Sequence, residues 1–410
     1  MKKSLLIVAG IWFVVVTAYS QSVNYTYSQA EKLLNDKKYD QAIEKFRFVV
    51  KKDPYFYEAY YGAGLAYLYK KDKKNAYEYF GKAITANSNY SEAYEQHYKL
   101  AFELGNYQEA VSDLSNLIRL HPQKTVYYEK RAEAYEKLNK PDKALVDYRR
   151  AADLGSPNPK VYYKVAMDYK SKKDDANFLK YIDKAIEKDP SFADALYERG
   201  YYYYGKRKFG KAIQDFGKIY SENPDYNNDV ILMLADSYAA SGKCDKAVLF
   251  YDTYVKKTHS RNPDIFVRKG KCLHKQKKMR EAIASFNKAI AYDAKNVEAY
   301  VERALVYDET GKEKMAERDF TKAISLDKKN PLPYFKRGLL KFNKHKYKDA
   351  LEDFNLAVKY SKKSTPAEYF YYRGACYFNA GDVNKACMDL KKAETMGYKP
   401  AAKQRQEICL

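Results

Sequence analysis

From about residue 23 onward, apolar and polar positions in this chain follow a helical rhythm rather than a strand rhythm, and the rhythm repeats. The segments QAIEKF, NAYEYF, EAVSDL, KALVDY, KAIQDF, KAVLFY, EAIASF, MAERDF, DALEDF and KACMDL share one pattern: a usually polar residue, an Ala, then a large apolar residue four positions after the Ala. Their alanines are Ala42, Ala76, Ala110, Ala144, Ala212, Ala247, Ala282, Ala316, Ala350 and Ala386, separated by steps of 34, 34, 34, 68, 35, 35, 34, 34 and 36. The double step hides a degenerate unit, in which Phe178 stands where the Ala would be and Ile182 follows four positions later. Twelve residues upstream a second small residue recurs: Ala30, Gly64, Ala132, Ala166, Gly200, Ala235, Gly270, Ala304, Gly338 and Gly374, with Tyr98 the exception. In seven units a Tyr follows it by three positions (Tyr67, Tyr135, Tyr169, Tyr203, Tyr238, Tyr307, Tyr377). Spacings of three and four place such residues on one helical face, so each unit predicts two amphipathic helices. Polar turns such as LNKP, ASGKC and ETGKEK join them. The small residues let the paired helices approach closely, and the aromatic beside each fills the space.

This pattern closely resembles the tetratricopeptide repeat, whose ~34-residue signature has a small residue, an aromatic, then Ala, Phe and a terminal Pro in this order. The terminal Pro stands here at Pro54, Pro122, Pro190 and Pro224. The resemblance implies an all-α, right-handed superhelical solenoid of helix-turn-helix repeats, about eleven of them over residues 21–400. First helices would line a concave groove and second helices would lie outside. No unit can bury its apolar face alone, so neighbours must stack. Residues 401–410 are expected to cap the last interface.

The first twenty residues read as an address. Lys2 and Lys3 precede an uncharged apolar run of fourteen residues from Leu5 to Ala18, and Ala18-Tyr19-Ser20 supplies small residues around a bulky one. Residues 1–20 are therefore expected to be a secretory signal peptide, cut before Gln21. The run is shorter than the ~20 residues a spanning helix needs, and no later run is long enough. The expected location is the periplasm of a Gram-negative bacterium; secretion, or anchoring by an uncleaved signal, are the alternatives.

Lys plus Arg number 75 against 53 Asp plus Glu, a formal charge of +22. The cations are scattered through turns and outer faces, so nucleic acid is not an expected partner, whereas an anionic glycan remains one. Catalytic machinery is not legible. The five His (His97, His121, His259, His274, His345) lack metalloprotease spacing, Cys-x-x-Cys is absent, and Gly62-Ala63-Gly64 lies inside a first helix without the other marks of a phosphate loop. The chain is read as a non-enzyme without metal or cofactor. Of the five cysteines, Cys376 and Cys387 sit at opposing heights on the two helices of the last unit and form the candidate disulfide; the other reading is that each is a small buried hydrophobe.

The family likeness also implies which residues face the groove: first-helix positions beside the packing positions. These are Tyr61, Leu65, Tyr163, Tyr197, Tyr201, Tyr204, Phe335, Leu339, Phe342, Tyr371 and Phe378, with Glu95, Lys99, Glu129 and Glu133 forming a charged stretch between them. Tyr-rich exposed patches mark contacts, because Tyr offers a large area and a hydroxyl at low entropic cost. The expected function is an exported scaffold that holds a protein or peptide partner in this groove, and self-association through terminal units is a further expectation. The alternative is a polysaccharide or peptidoglycan binder, with Tyr faces stacking on sugars.

Overall fold

A computed structural model describes residues 21–362 and 365–409, so the expected signal peptide lies outside the described residues. The described residues form helices joined by short turns, without strands. They divide into two compact units, one ending at Ala195 and the other starting at Leu196. The first holds α1 (21–35), α2 (Tyr39–Lys52), α3 (Tyr57–Tyr69), α4 (Lys73–Ala86), α5 (Ser91–Leu104), α6 (Tyr107–Leu120), α7 (Thr125–Lys137), α8 (Pro141–Asp153), α9 (Pro159–Ser171) and α10 (Asp175–Lys188). The divide falls inside α11 (Ala193–Gly205). The second unit continues with α12 (Phe209–Glu222), α13 (Asn228–Ala240), α14 (Cys244–Thr258), α15 (Pro263–Lys275), α16 (Met279–Tyr292), α17 (Val297–Glu309), α18 (Glu313–Leu326), α19 (Pro331–Asn343), α20 (Tyr347–Ser361), α21 (Ala367–Asn379), α22 (Val383–Thr395) and α23 (Lys399–Ile408). Odd-numbered helices up to α21 are the first helices of eleven pairs. Within each unit, every helix packs on its neighbours in sequence.

The pairing follows from the small residues. Gly64 on α3 faces Phe80 on α4, and Gly270 on α15 faces Phe286 on α16, in each case sixteen residues later. A Cβ at Gly64 would lie 2.6 Å from the Phe80 ring, and one at Gly270 only 2.5 Å from Phe286. The rings of Phe80, Phe216, Phe286, Phe320 and Phe354 are fully buried at these contacts. Between the helices of a pair the chain turns through one left-handed residue, a Gly at Gly105 and Gly242 but a Lys at Lys71 and Lys173. At the first of these Lys turns, the Asp72 N–H donates to the Tyr67 carbonyl at 2.9 Å, closing the end of α3.

A second device also recurs at sixteen-residue spacing. Arg131 donates two parallel hydrogen bonds to Asp147 at 2.8 and 2.7 Å, and a third at 3.0 Å to Ser115 on the preceding second helix. Arg303 does the same to Asp319 at 2.7 and 2.8 Å and to Asn287 at 2.5 Å. Arg337 pairs with Asp353 and reaches Thr321; Arg373 pairs with Asp389 and reaches Asn355; Arg199 pairs with Asp215. Each of these aspartates is buried. The guanidinium fork thus ties a first helix to its own partner and, in four cases, to the previous repeat. In the third pair His97 takes the Arg place, 2.6 Å from Asp113 and stacked on Tyr77, and burial pushes the Asp113 carboxyl up.

Removing one partner of such a pair strands a buried charge, whereas removing both does not. Arg131→Met alone is expected to cost about 3–5 kcal/mol, and Arg131→Met with Asp147→Leu distinctly less, measured by urea unfolding. Equal losses in the single and double variants would show that the pair does not hold the junction.

Candidate functional site

The residues expected to face the groove mostly serve the joints between repeats. Tyr61 is half-buried, 5.4 Å from Phe80 and 5.2 Å from Tyr90 in the linker that leads to α5. Leu65 packs on the same cluster. Tyr163 meets Phe192 at 5.4 Å, Tyr197 meets Tyr226 at 6.2 Å, and Tyr371 meets Tyr398 at 5.1 Å. In each case a first-helix aromatic packs on an aromatic just before the next first helix or, for Tyr398, just before α23, 27 to 29 residues on by sequence number. Phe342 lies between Tyr347 and Tyr372, at 5.4 and 5.5 Å, and Leu339 is half-buried beside them. Phe335 departs from the expectation altogether. It is only 1% exposed, because Tyr369 of the following first helix stacks on it at 4.0 Å. Tyr201 and Phe378 are open to solvent at 47% and 40% exposure. The charged stretch is partly interior as well: Glu129 is buried and accepts from Ser156 Oγ at 2.7 Å and Asn158 Nδ2 at 2.9 Å.

One concave place does gather chemistry from successive first helices. In the second unit a cleft of about 410 Å³ is lined by Tyr204 of α11, Asp236, Ala239 and Ala240 of α13, and Arg268, Lys271, Cys272 and Lys275 of α15. Tyr251 of α14 lies beneath, fully buried, and its hydroxyl donates to Asp236 Oδ1 at 2.6 Å. Arg268 donates to Asp236 Oδ2 at 2.6 Å. Burial and the adjacent carboxylate push the Tyr251 phenol far up, so it stays a donor and fixes the carboxylate. Unlike the joint arginines, Arg268 stands two positions before its small residue, Gly270, and is 42% exposed. Lys271 is drawn towards Glu298 at 2.9 Å and Glu302 at 3.6 Å. Burial and the neighbouring Cys244 thiol push the Cys272 thiol up to about 12, so it sits in the cleft wall as a neutral thiol. Of the expected groove residues only Tyr204 lines this cleft. The signal that could have found the rest is Arg268 itself, an Arg out of register with the joint arginines.

The expected Cys376–Cys387 bridge is not formed. Cys376 is free and buried between α20 and α21, against Phe354 and Tyr369. Cys387, on α22, instead bridges to Cys409 just past α23, with Cα atoms 5.7 Å apart. Opposing heights on a helix pair are not sufficient: Cys376 turns into the joint with the preceding repeat, while Cys387 turns towards α23. Cys244 and Cys272 are free and buried. Among the described residues, no group of three or more His, Cys, Asp or Glu is placed to hold a metal ion, and no helix is long and apolar enough to cross a membrane.

An array of helix-turn-helix pairs stacked through small residues is an all-α solenoid, a class built for contact along its helix faces. Comparison with known proteins gives the family. A TPR repeat model matches residues 260–311, and tetratricopeptide repeat models match residues 179–227 and 297–330. A bacterial transcriptional activator domain model matches residues 27–156, a stretch made of helix pairs α1 to α8. The chain is 23% identical over 301 residues to DnaJ homolog subfamily C member 3 of Gallus gallus, covering 71% of this chain and 50% of that protein. It is 28% identical over 203 residues to human Tetratricopeptide repeat protein 13, covering 48% of this chain and 22% of that protein. The chain therefore spans half or less of the length of these two relatives. The crystal structure of yeast Tom70 aligns over 95% of this chain and 99% of that one, at 16% identity and a TM-score of 0.36. The chain is a tetratricopeptide repeat protein. Such repeats generally mediate protein–protein interactions.

Peptide mapping without reductant is expected to link Cys387 to Cys409 and to leave Cys376 available for alkylation after unfolding. A Cys376–Cys387 linked peptide would contradict the arrangement of α21, α22 and α23.

Proposed function

We propose that this chain is an exported, non-enzymatic scaffold that binds a protein partner, as an extended segment or a helix, along the first-helix face of its second unit. The observation that carries the reading is the cleft between α11, α13 and α15. There Tyr204, Ala239 and Ala240 supply apolar contact beside Arg268, a half-exposed cation whose hydrogen bond among the described residues is the one to Asp236. A fixed cation next to apolar area gives register as well as affinity, since unpaired donors lose free energy unless the partner meets them. The reading of the whole aromatic series as one groove is narrowed, because most of those rings are occupied at the joints. Support for export comes from the apolar run at residues 5–18 and from the Cys387–Cys409 disulfide, a bond that persists in oxidising compartments. The periplasm of a Gram-negative cell is the location proposed, with envelope assembly or secretion as the setting.

Affinity capture from envelope extract should compare residues 21–410 with a Tyr201→Ala, Tyr204→Ala, Arg268→Gln variant of unchanged circular dichroism. A defined protein retained by the native chain should be depleted about tenfold or more by the variant. Capture of the same set by both would move the binding face elsewhere. Export is checked separately by N-terminal sequencing of the protein from its own cells, which should begin at Gln21; an intact Met1 start in a cytosolic fraction would remove that part of the proposal.

A further inference from the structure

The second unit carries another recess that the protein-binding reading does not use. A cleft of about 810 Å³ opens between the second helices α16 and α18, with α17 contributing to its lining. Its floor is a closed electrostatic unit. Arg303 spends its donors on Asp319 and Asn287 and lies between the rings of Tyr300 and Tyr307, at 5.5 and 5.8 Å. Asp319 is only 5% exposed and is neutralised in place, so it presents little negative charge to the cleft. On the wall stand Arg318 and Lys322, one helical turn apart on α18 and both exposed, with no ion-pair partner among the described residues.

This pairing of cations sets α18 apart from the other repeats that carry a joint aspartate. The residue before the joint aspartate is Ser112, Val146, Gln214, Glu352 or Met388 in the other pairs, and the residue three after it is Asn116, Arg150, Lys218, Leu356 or Lys392. Among the pairs with a joint aspartate, only α18 carries positive charge at both positions; Lys180 and Lys184 hold the equivalent positions on α10, where Tyr181 replaces the aspartate and the two ammonium groups lie over the Tyr181 and Tyr162 rings. The remaining lining is polar: the Asn287 amide, the Tyr307 phenol and the Thr321 and Ser325 hydroxyls, which donate to the Glu317 and Lys322 carbonyls and keep their oxygens as acceptors, with Met315 the exposed apolar residue. Such a lining suits a ligand rich in hydroxyls that also bears carboxylates. It does not suit a lipid chain, for want of apolar wall. Nor does it suit a stack of bases, since Tyr300 is buried and Tyr307 already has Arg303 on its ring.

We propose that this cleft binds an acidic saccharide, with Arg318 and Lys322 holding a uronic-acid carboxylate and Asn287, Tyr307 and Ser325 meeting the ring hydroxyls. The site is independent of the α11–α13–α15 cleft, so a scaffold can hold a protein on one side and an acidic polysaccharide on the other.

The test is titration calorimetry of the chain with trigalacturonate, beside maltotriose and hexaglutamate. The variants are Arg318→Glu with Lys322→Glu, and a charge-matched control, Arg150→Glu with Lys218→Glu. All four positions lie on helix surfaces, and circular dichroism verifies folding. Saturable binding of trigalacturonate is expected, weakened about tenfold or more by the first variant and within about twofold by the control. Absence of saturable heat, equal weakening by both variants, or binding of hexaglutamate or maltotriose as tight as that of trigalacturonate would each overturn the proposal. None of these outcomes touches the protein-binding cleft, whose variant is separate.

Discussion

The structure depends on how closely two helices can lie when one presents a Gly or Ala and the other a ring sixteen residues later. At Gly64 and Gly270 there is no room for a β-carbon while the Phe stays where it is. Close approach buries each ring completely, and the helix pair is therefore a small interlocked body before it meets any neighbour. Stacking such bodies is then a question of what joins one to the next, since each unit gains stability only from its own fit and that of its nearest neighbours.

Two kinds of joint answer that question. The polar joint is an Arg whose planar fork engages its own Asp and, with a remaining donor, a Ser, Asn or Thr of the previous repeat. Lys could not replace it, because a single ammonium cannot satisfy both carboxylate oxygens and a third acceptor in fixed geometry. The apolar joint is a first-helix aromatic set against an aromatic in the following linker, as at Tyr61 and Tyr90 or Tyr163 and Phe192. Much of the Tyr content of the chain is structural for this reason.

Binding capacity arises where the joints leave something over. Arg268 is shifted by one position from the joint arginines and so lines a cleft, where it meets Asp236 of the previous repeat instead of an aspartate of its own pair, and the Tyr251–Asp236 hydrogen bond steadies that carboxylate from below. Arg318 and Lys322 are left over in a different sense: the joint beneath them is already complete. In both places a rigid, satisfied network supports side chains with unused donors, which is what a pre-organised recognition surface requires.

The repeat length, the two helices per unit, the small-residue contacts and the family were legible in the sequence, because they are local and periodic and every repeat restates them. Phe335 could not be placed from its register, since its burial was decided by Tyr369 on the next first helix, beyond the reach of a single repeat's pattern. The same holds for the cysteines. Helix heights placed Cys376 opposite Cys387, but the direction in which each side chain turns, one into a joint and the other towards α23, is fixed only when the helices are stacked. The sixteen-residue Arg and Asp spacing stood in the sequence as plainly as the alanines, yet only the fold shows that it consumes those charges, and so shows which cations remain free to meet a ligand.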